Sequence, residues 1–183
     1  FIAAAATGIP IGWLLWHNDT LFQILNPYLI VLYAMPIFVF YPLLIILFGL
    51  GSLPIILIAY AMSVTVVVIS TAEGLNKVPE IFFDASRSLN LTSYQSITRV
   101  QLPAAVPYIF TGLKLGFIYA FIGVIASEFI LANAGLGYFV SLQYDRFETA
   151  DMYASIIVIV VFAAVVNLLL VRVEDRLYKR GAR

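Results

Sequence analysis

Cysteine is absent from this chain, and histidine occurs once, as His17. Without thiols there is no disulfide, no Cys-based zinc or iron–sulfur site and no thiol nucleophile. His17 has no neighbour that completes a metal or catalytic site, so its expected place is an interface. Charge is scarce too: 11% of the 183 residues are charged, against roughly 25% in soluble domains. Ten cations balance ten anions, so bulk charge gives no reason to expect nucleic acid as a partner. From Thr20 to Ala72, 53 positions carry no charge at all. The pattern G-x-x-x-x-G-K-[ST] is also missing, which excludes ATP binding by a phosphate loop of this chain.

What is present is apolar. The hydrophobic share is 63% and the mean hydropathy is +1.02, which makes this an integral membrane protein. A helix crosses the hydrocarbon core with about 20 apolar residues. Phe1–Trp16 fits the end of a span, and its lack of a basic leader argues against a signal peptide. The stretch is therefore expected to be a helix entered partway, with an earlier start missing. "HNDT" (17–20) breaks it. The uncharged run beyond holds two spans, about 28–48 and 53–72, divided at "FGLGSLP" (48–54). Pro36 and Pro42 predict a kinked or irregular segment in the first of them. A fourth span is expected over about 105–127 and a fifth over Met152–Val171, with residues 128–150 loop-like between them. The whole chain reads as a single transmembrane domain, an all-α polytopic membrane protein with about five spans.

Lys and Arg in short loops set orientation. The tail holds Arg172, Arg176, Lys179, Arg180 and Arg183, and the central polar segment (73–104) holds Lys77, Arg87 and Arg99. Two spans separate these regions, so they share a side, predicted to be cytoplasmic. The intervening loop has Arg146 beside Asp145, Glu148 and Asp151 and is predicted to face out.

The central segment has its own logic. Pro79 fits a helix first turn, and Glu80 and Asp84 suit the N-terminal half of that helix. Ile81, Ala85 and Leu89 fall on one face, with Phe82 beside them. Asn90 can enter the left-handed region and stop the helix. Thr92 and Gln95 match a capping box, which predicts a second short helix to about Gln101, with Pro103 and Pro107 marking entry into the next span. An ordinary ordered loop and a docking surface for a soluble partner both fit this pattern.

Here the chain resembles the inner-membrane permeases of binding-protein-dependent ABC transporters. Their cytoplasmic loop reads E-A-A, three residues, Gly, nine residues, I-x-L-P. In this chain Asp84-Ala85-Ser86, Asn90 and Val100-Gln101-Leu102-Pro103 keep that spacing with relaxed identities. "PAAVPYIFTGLKLGF" (103–117), "ASEFILANAGLGY" (126–138), "VEDRL" (173–177) and "AMPIFVFYPLLIILFGLG" (34–51) look like the nitrate/sulfonate/taurine branch. The resemblance covers roughly residues 30–178. It implies an ABC importer permease fold with six spans in all, of which these would be the second to sixth. It implies a location in the inner membrane and a second permease subunit in a homodimer. It implies two cytoplasmic ATPases, which supply ATP and magnesium, and an external solute-binding protein. Residues 79–101 would dock on the ATPase, with Glu80, Asp84, Ala85, Ser86, Arg87, Leu89, Asn90, Leu102 and Pro103 as coupling residues. The branch points to a small anion or small organic solute: nitrate, a sulfonate, taurine, a pyrimidine or an aromatic acid.

Polar candidates for a translocation path are Tyr33, Tyr41, Tyr60, Ser63, Tyr119 and Asn167, with Glu128 at the outer end of the fourth span. Glu128 is read either as interfacial or as a gating or binding-protein contact. Gly112, Gly116 and Ala120 recur at i, i+4, i+8 and permit close helix approach, within the subunit or toward a pore or dimer. Lys114 is expected to snorkel to the cytoplasmic interface, with a substrate contact as the alternative. Gly135 and Gly137 predict a tight turn with positive φ. A secondary transporter or channel is the alternative class, but such proteins usually carry ionisable groups at mid-membrane, and the spans at 28–72 and 152–171 have none.

Overall fold

The computed structural model describes residues 1–181; Arg183, counted above among the tail cations, lies outside them. Among the described residues the elements are helices: α1 (Ile2–His17), α2 (Asp19–Ala34), a 3-10 turn (Ile37–Phe40), α3 (Tyr41–Phe48), α4 (Ser52–Asn76), α5 (Glu80–Ser88), α6 (Ser93–Ser96), a π turn (Ile97–Gln101), α7 (Leu102–Leu131), α8 (Leu136–Asp145) and α9 (Thr149–Gly181). By length and composition α4, the rod that ends in α7, and α9 can cross a bilayer, and α2 with α3 forms a bent pair. α1 is apolar but shorter.

α4 is the centre. Its buried side chains are small or β-branched: Ala59, Ser63, Thr65, Val66, Val67, Val68, Thr71 and Ala72. Lipid tails are as apolar as leucine, so helices in a membrane associate through close packing of small residues. α1 lies parallel to α4, with Gly8 against Val67 and Gly12 against Thr71 and the Val68 carbonyl. α7 runs antiparallel, with Gly112 on Ser70, Gly116 on Val67 and Ser63, and Gly123 on Met62 and Ala59. The small-residue stripe of α7 therefore packs within the subunit, since a β-carbon at any of these three glycines meets α4.

Several boundaries differ from the sequence expectation, each for a local reason. α2 begins at Asp19 rather than near residue 28, because the Asn18 side chain accepts a hydrogen bond from Leu21 N (3.1 Å) and caps it. The following span is bent by 76° between Ala34 and Ile37. The cause is Pro36, which drives Met35 out of the helical region to φ −77°, ψ 132°. Residues 128–150 are mostly helix, not loop: α7 persists to Leu131 and α8 follows a turn at Gly135. Gly135 has φ 113°, as expected, but Gly137 lies inside α8. Its lack of a side chain lets α8 pack on the Ile125 carbonyl and Glu128.

Pro103 does not interrupt the chain's helical path. Ser93 to Ile130 form one long helix. The π turn before Pro103 has Leu102 N bonded to the Ile97 carbonyl, five residues back. This wider turn falls where Pro103 lacks an N–H and the ordinary ladder is already broken. The central polar loop is thus continuous with α7, whereas it is separated from α4 by Lys77, Val78 and Pro79.

Candidate functional site

α5 starts at Glu80, one residue after Pro79, which takes the N-cap place with φ −59° and ψ 138° rather than the first turn. It ends in a Schellman arrangement. Leu91 N bonds to the Ser86 carbonyl (3.1 Å), Asn90 N to the Arg87 carbonyl (3.0 Å), and Asn90 has φ 50°. Asn is one of the few side chains that tolerate this region. Thr92 then caps α6. Gln95 N donates to Thr92 Oγ1 (3.3 Å) and Thr92 N to Gln95 Oε1 (3.1 Å), which completes the capping box. Helix stop and helix start lie back to back, so the direction change at Asn90 is fixed by four hydrogen bonds.

The amphipathicity of α5 is inverted relative to a simple surface helix. Ile81 and Leu89 are each 70% exposed, and Ala85 is exposed between them. Glu80, Asp84 and Arg87 flank this apolar face and are also exposed. Arg87 Nη1 lies 3.4 Å from Asp84 Oδ1, an exposed i,i+3 pair that contributes little to stability. The opposite face is anchored. Phe83 packs beside Leu75, Val78, Ala105 and Ile109 and near Trp16 (ring centroids 6.1 Å).

Ser86 belongs to that inner face. It is 5% exposed, so it does not lie on the outward surface with Asp84 and Ala85. Its hydroxyl donates to the Phe83 carbonyl (2.7 Å) and accepts from Ser96 Oγ (2.9 Å), which in turn accepts from Gln101 Nε2 (3.0 Å). Leu102 and Pro103 are exposed at the base of α7. The tight spacing that made Ser86 a contact candidate gave no sign of its direction. The signal was the periodicity: Ser86 is three residues from Phe83 and so shares its side of the helix.

The path candidates separate into two groups. The Tyr33 and Tyr119 rings lie 5.3 Å apart, and Tyr60 Oη lies 3.1 Å from Thr7 Oγ1, a partner the sequence reading overlooked. Asn167 is exposed on α9. By contrast Ser63 is fully buried under Gly116 and Tyr41 is buried beside Ile58 and Met62, so both are packing residues in this conformation. Glu128 turns inward: its carboxylate accepts from Gly137 N (2.9 Å) at the start of α8 and fills the space over Gly135. That bond satisfies one of the free N–H groups of the helix end.

Lys114 is paired with a carboxylate of α9. Its Nζ donates to Glu174 Oε2 (2.5 Å), and Thr111 Oγ1 donates to Glu174 Oε1 (2.6 Å). Tyr178 packs edge-on against Tyr108 just beyond. Glu174 is 60 residues away in sequence, and only the antiparallel return of α9 brings it alongside α7.

The family model of the binding-protein-dependent transport system inner membrane component matches residues 5–182. The nitrate import permease protein NrtB of Synechocystis sp. is 30% identical over 94% of this chain and 61% of its own length. The bicarbonate transport system permease protein CmpB of Synechococcus elongatus is 30% identical over 94% and 61%. The taurine transport system permease protein TauC of Escherichia coli is 32% identical over 96% and 64%. The chain thus spans about three fifths of the length of these curated relatives. A chain of the MetNI methionine ABC transporter in an inward-facing conformation superposes with a TM-score of 0.79 at 18% identity, over 95% of this chain and 87% of that one. That likeness establishes the fold. With the family match covering nearly the whole chain, the protein belongs to the family of binding-protein-dependent transport system inner membrane components.

Proposed function

We propose that this chain is the membrane subunit of an ATP-driven importer for a small anion or small organic solute, coupled to a separate cytoplasmic ATPase through residues 79–101. The observation that carries this reading is the exposed Ile81–Ala85–Leu89 face, flanked by Glu80, Asp84 and Arg87, on a rigidly capped helix. An apolar helix face rimmed by charge fits a hydrophobic cleft on a partner protein. The relatives named for nitrate, bicarbonate and taurine support the solute class.

In this reading two copies of the chain form the path, and each docks one ATPase, which holds ATP and magnesium. A solute-binding protein delivers cargo to the opposite face. The loop and the basic tail lie in the cytoplasm, and the α8 region faces out. ATP-driven closure of the two ATPases moves the docked α5 helices and switches the bundle between two open states. Tyr33, Tyr60 and Tyr119 supply hydrogen bonds along the path without a fixed charge that would trap an anion.

The test is reconstitution with the ATPase and binding protein, using labelled taurine, nitrate and bicarbonate as probes. Ala85→Arg places a charge on the docking face, and Asn90→Pro removes the Asn90 N–H and the left-handed turn. Both are expected to abolish ATP-dependent uptake with normal amounts of protein in the membrane. Uptake retained in both variants would sink the docking role.

A further inference from the structure

We propose that Ser86, Ser96 and Gln101 form a latch that makes α5 and α7 a single rigid lever, with the α4 junction at Lys77–Pro79 as the hinge. The inference rests on the coupling role proposed above and says which way the displacement travels. The three side chains form a directional relay. Gln101 Nε2 donates to Ser96 Oγ (3.0 Å), Ser96 Oγ to Ser86 Oγ (2.9 Å), and Ser86 Oγ to the Phe83 carbonyl (2.7 Å). Each hydroxyl accepts one bond and donates one, and the chain ends on backbone. Ser86 and Ser96 are buried, at 5% and 9% exposure, where satisfied hydrogen bonds hold a geometry and unsatisfied ones are costly.

The π turn is part of the device. Five residues make about 1.4 turns of an α-helix, which would direct Gln101 well away from Ser96. The i→i+5 turn over Ile97–Gln101 brings position 101 back over position 96. From Ser93 the helix then continues unbroken to Ile130. On the other side of α5 the link to α4 is Lys77, Val78 and an extended Pro79. Among the described residues, the side-chain hydrogen bonds of α5 run within the helix and to Ser96, and none runs to α4. On the α4 side α5 is held only by the apolar packing of Phe83 beside Leu75 and Val78, which carries no direction, so a push on its exposed face is resisted by hydrogen bonds only on the α7 side.

The chain has no cysteine, so paired spin labels report cleanly. Labels at Ser88→Cys on α5 with Val106→Cys on α7, and at Ser88→Cys with Glu73→Cys on α4, are measured in the full chain bound to its ATPase. The expected result is a narrow 88–106 distance that is unchanged by a non-hydrolysable ATP analogue, with an 88–73 distance that shifts. Ser96→Ala is expected to widen the 88–106 distribution and lower solute moved per ATP hydrolysed, with ATPase binding retained. Ser96→Thr, which keeps the hydroxyl, restores both. An 88–106 distribution unaltered by Ser96→Ala, or one that shifts with nucleotide in the unaltered loop, overturns the latch. Failure of the unaltered chain to bind the ATPase overturns the coupling reading instead.

Discussion

α4 and α9 are both long, apolar helices, and the sequence of α9 is the more hydrophobic of the two. Yet half of the most apolar window of α4 is buried inside the subunit, and none of that of α9 is. The difference lies in side-chain size. α4 offers alanine, serine, threonine and valine to glycines on α1 and α7, so backbones approach closely. α9 carries Ile157, Val160, Val161, Phe162, Val165 and Leu168 outward. It is held to the bundle at its two ends by polar contacts: the Gln143 amide lies 2.8 Å from Ser155 Oγ, and Glu174 binds Lys114 and Thr111. In lipid, hydropathy says that a helix is in the membrane, and residue size says whether protein or solvent-like lipid surrounds it.

The sharpest way to break this comparison is on the α4 side. Gly116→Leu places a branched side chain where even a β-carbon would meet Val67 and Ser63. We expect a loss above about 3 kcal/mol, seen as collapse of the monodisperse peak in detergent, and partial recovery with Val67→Ala. Next is Glu174→Ala, which leaves Lys114 unpaired between helices. Because both side chains keep some exposure, the loss is expected near the low end of the range for broken buried pairs, about 3 kcal/mol. The double variant Lys114→Met with Glu174→Met is expected to regain most of it, as judged by the thermal midpoint; no recovery would mean that the pair has a role beyond mutual neutralisation.

Smaller effects are expected at the other tie. Ser155→Ala removes the bond to Gln143 and should cost about 1 kcal/mol, read as a modest fall in the same midpoint. Smallest of all is Val161→Leu, on the exposed face of α9, expected within about 0.5 kcal/mol of the parent. A large effect at Val161 would show that this face is packed against a second chain rather than lipid, and would remove the contrast with α4.

Legibility in the sequence followed the range of the physical cause. The turn at Asn90 and the capping box at Thr92 were readable because their hydrogen bonds join residues three to five apart. The bend at Pro36 was readable for the same reason. The inward direction of Ser86 was not legible because a motif gives spacing but not which side of a nine-residue helix is pinned. Pro103 was expected to mark entry into the next span and stands in the first turn of α7, but the π turn that carries the helix up to it was not legible. The pairing of Lys114 was not legible because its partner, Glu174, is distant in the chain. Glu128 was placed at the right end of its span, but its inward turn depends on the return of α8 over it.

The sequence by itself determined the medium, the helical class, the location of the polar loop and the family. The first three follow from composition, from periodicity or from spacing within a few residues, and the family from the resemblance that the loop motif and its neighbouring stretches carry. The tertiary structure alone decided which apolar helix is core, which serine faces inward, and which charges meet. Those outcomes depend on two helices lying side by side, and side-by-side contact in a bilayer is chosen by shape and by pairing of scarce polar groups. Hydrophobicity cannot choose it, because every span has that in common with the lipid.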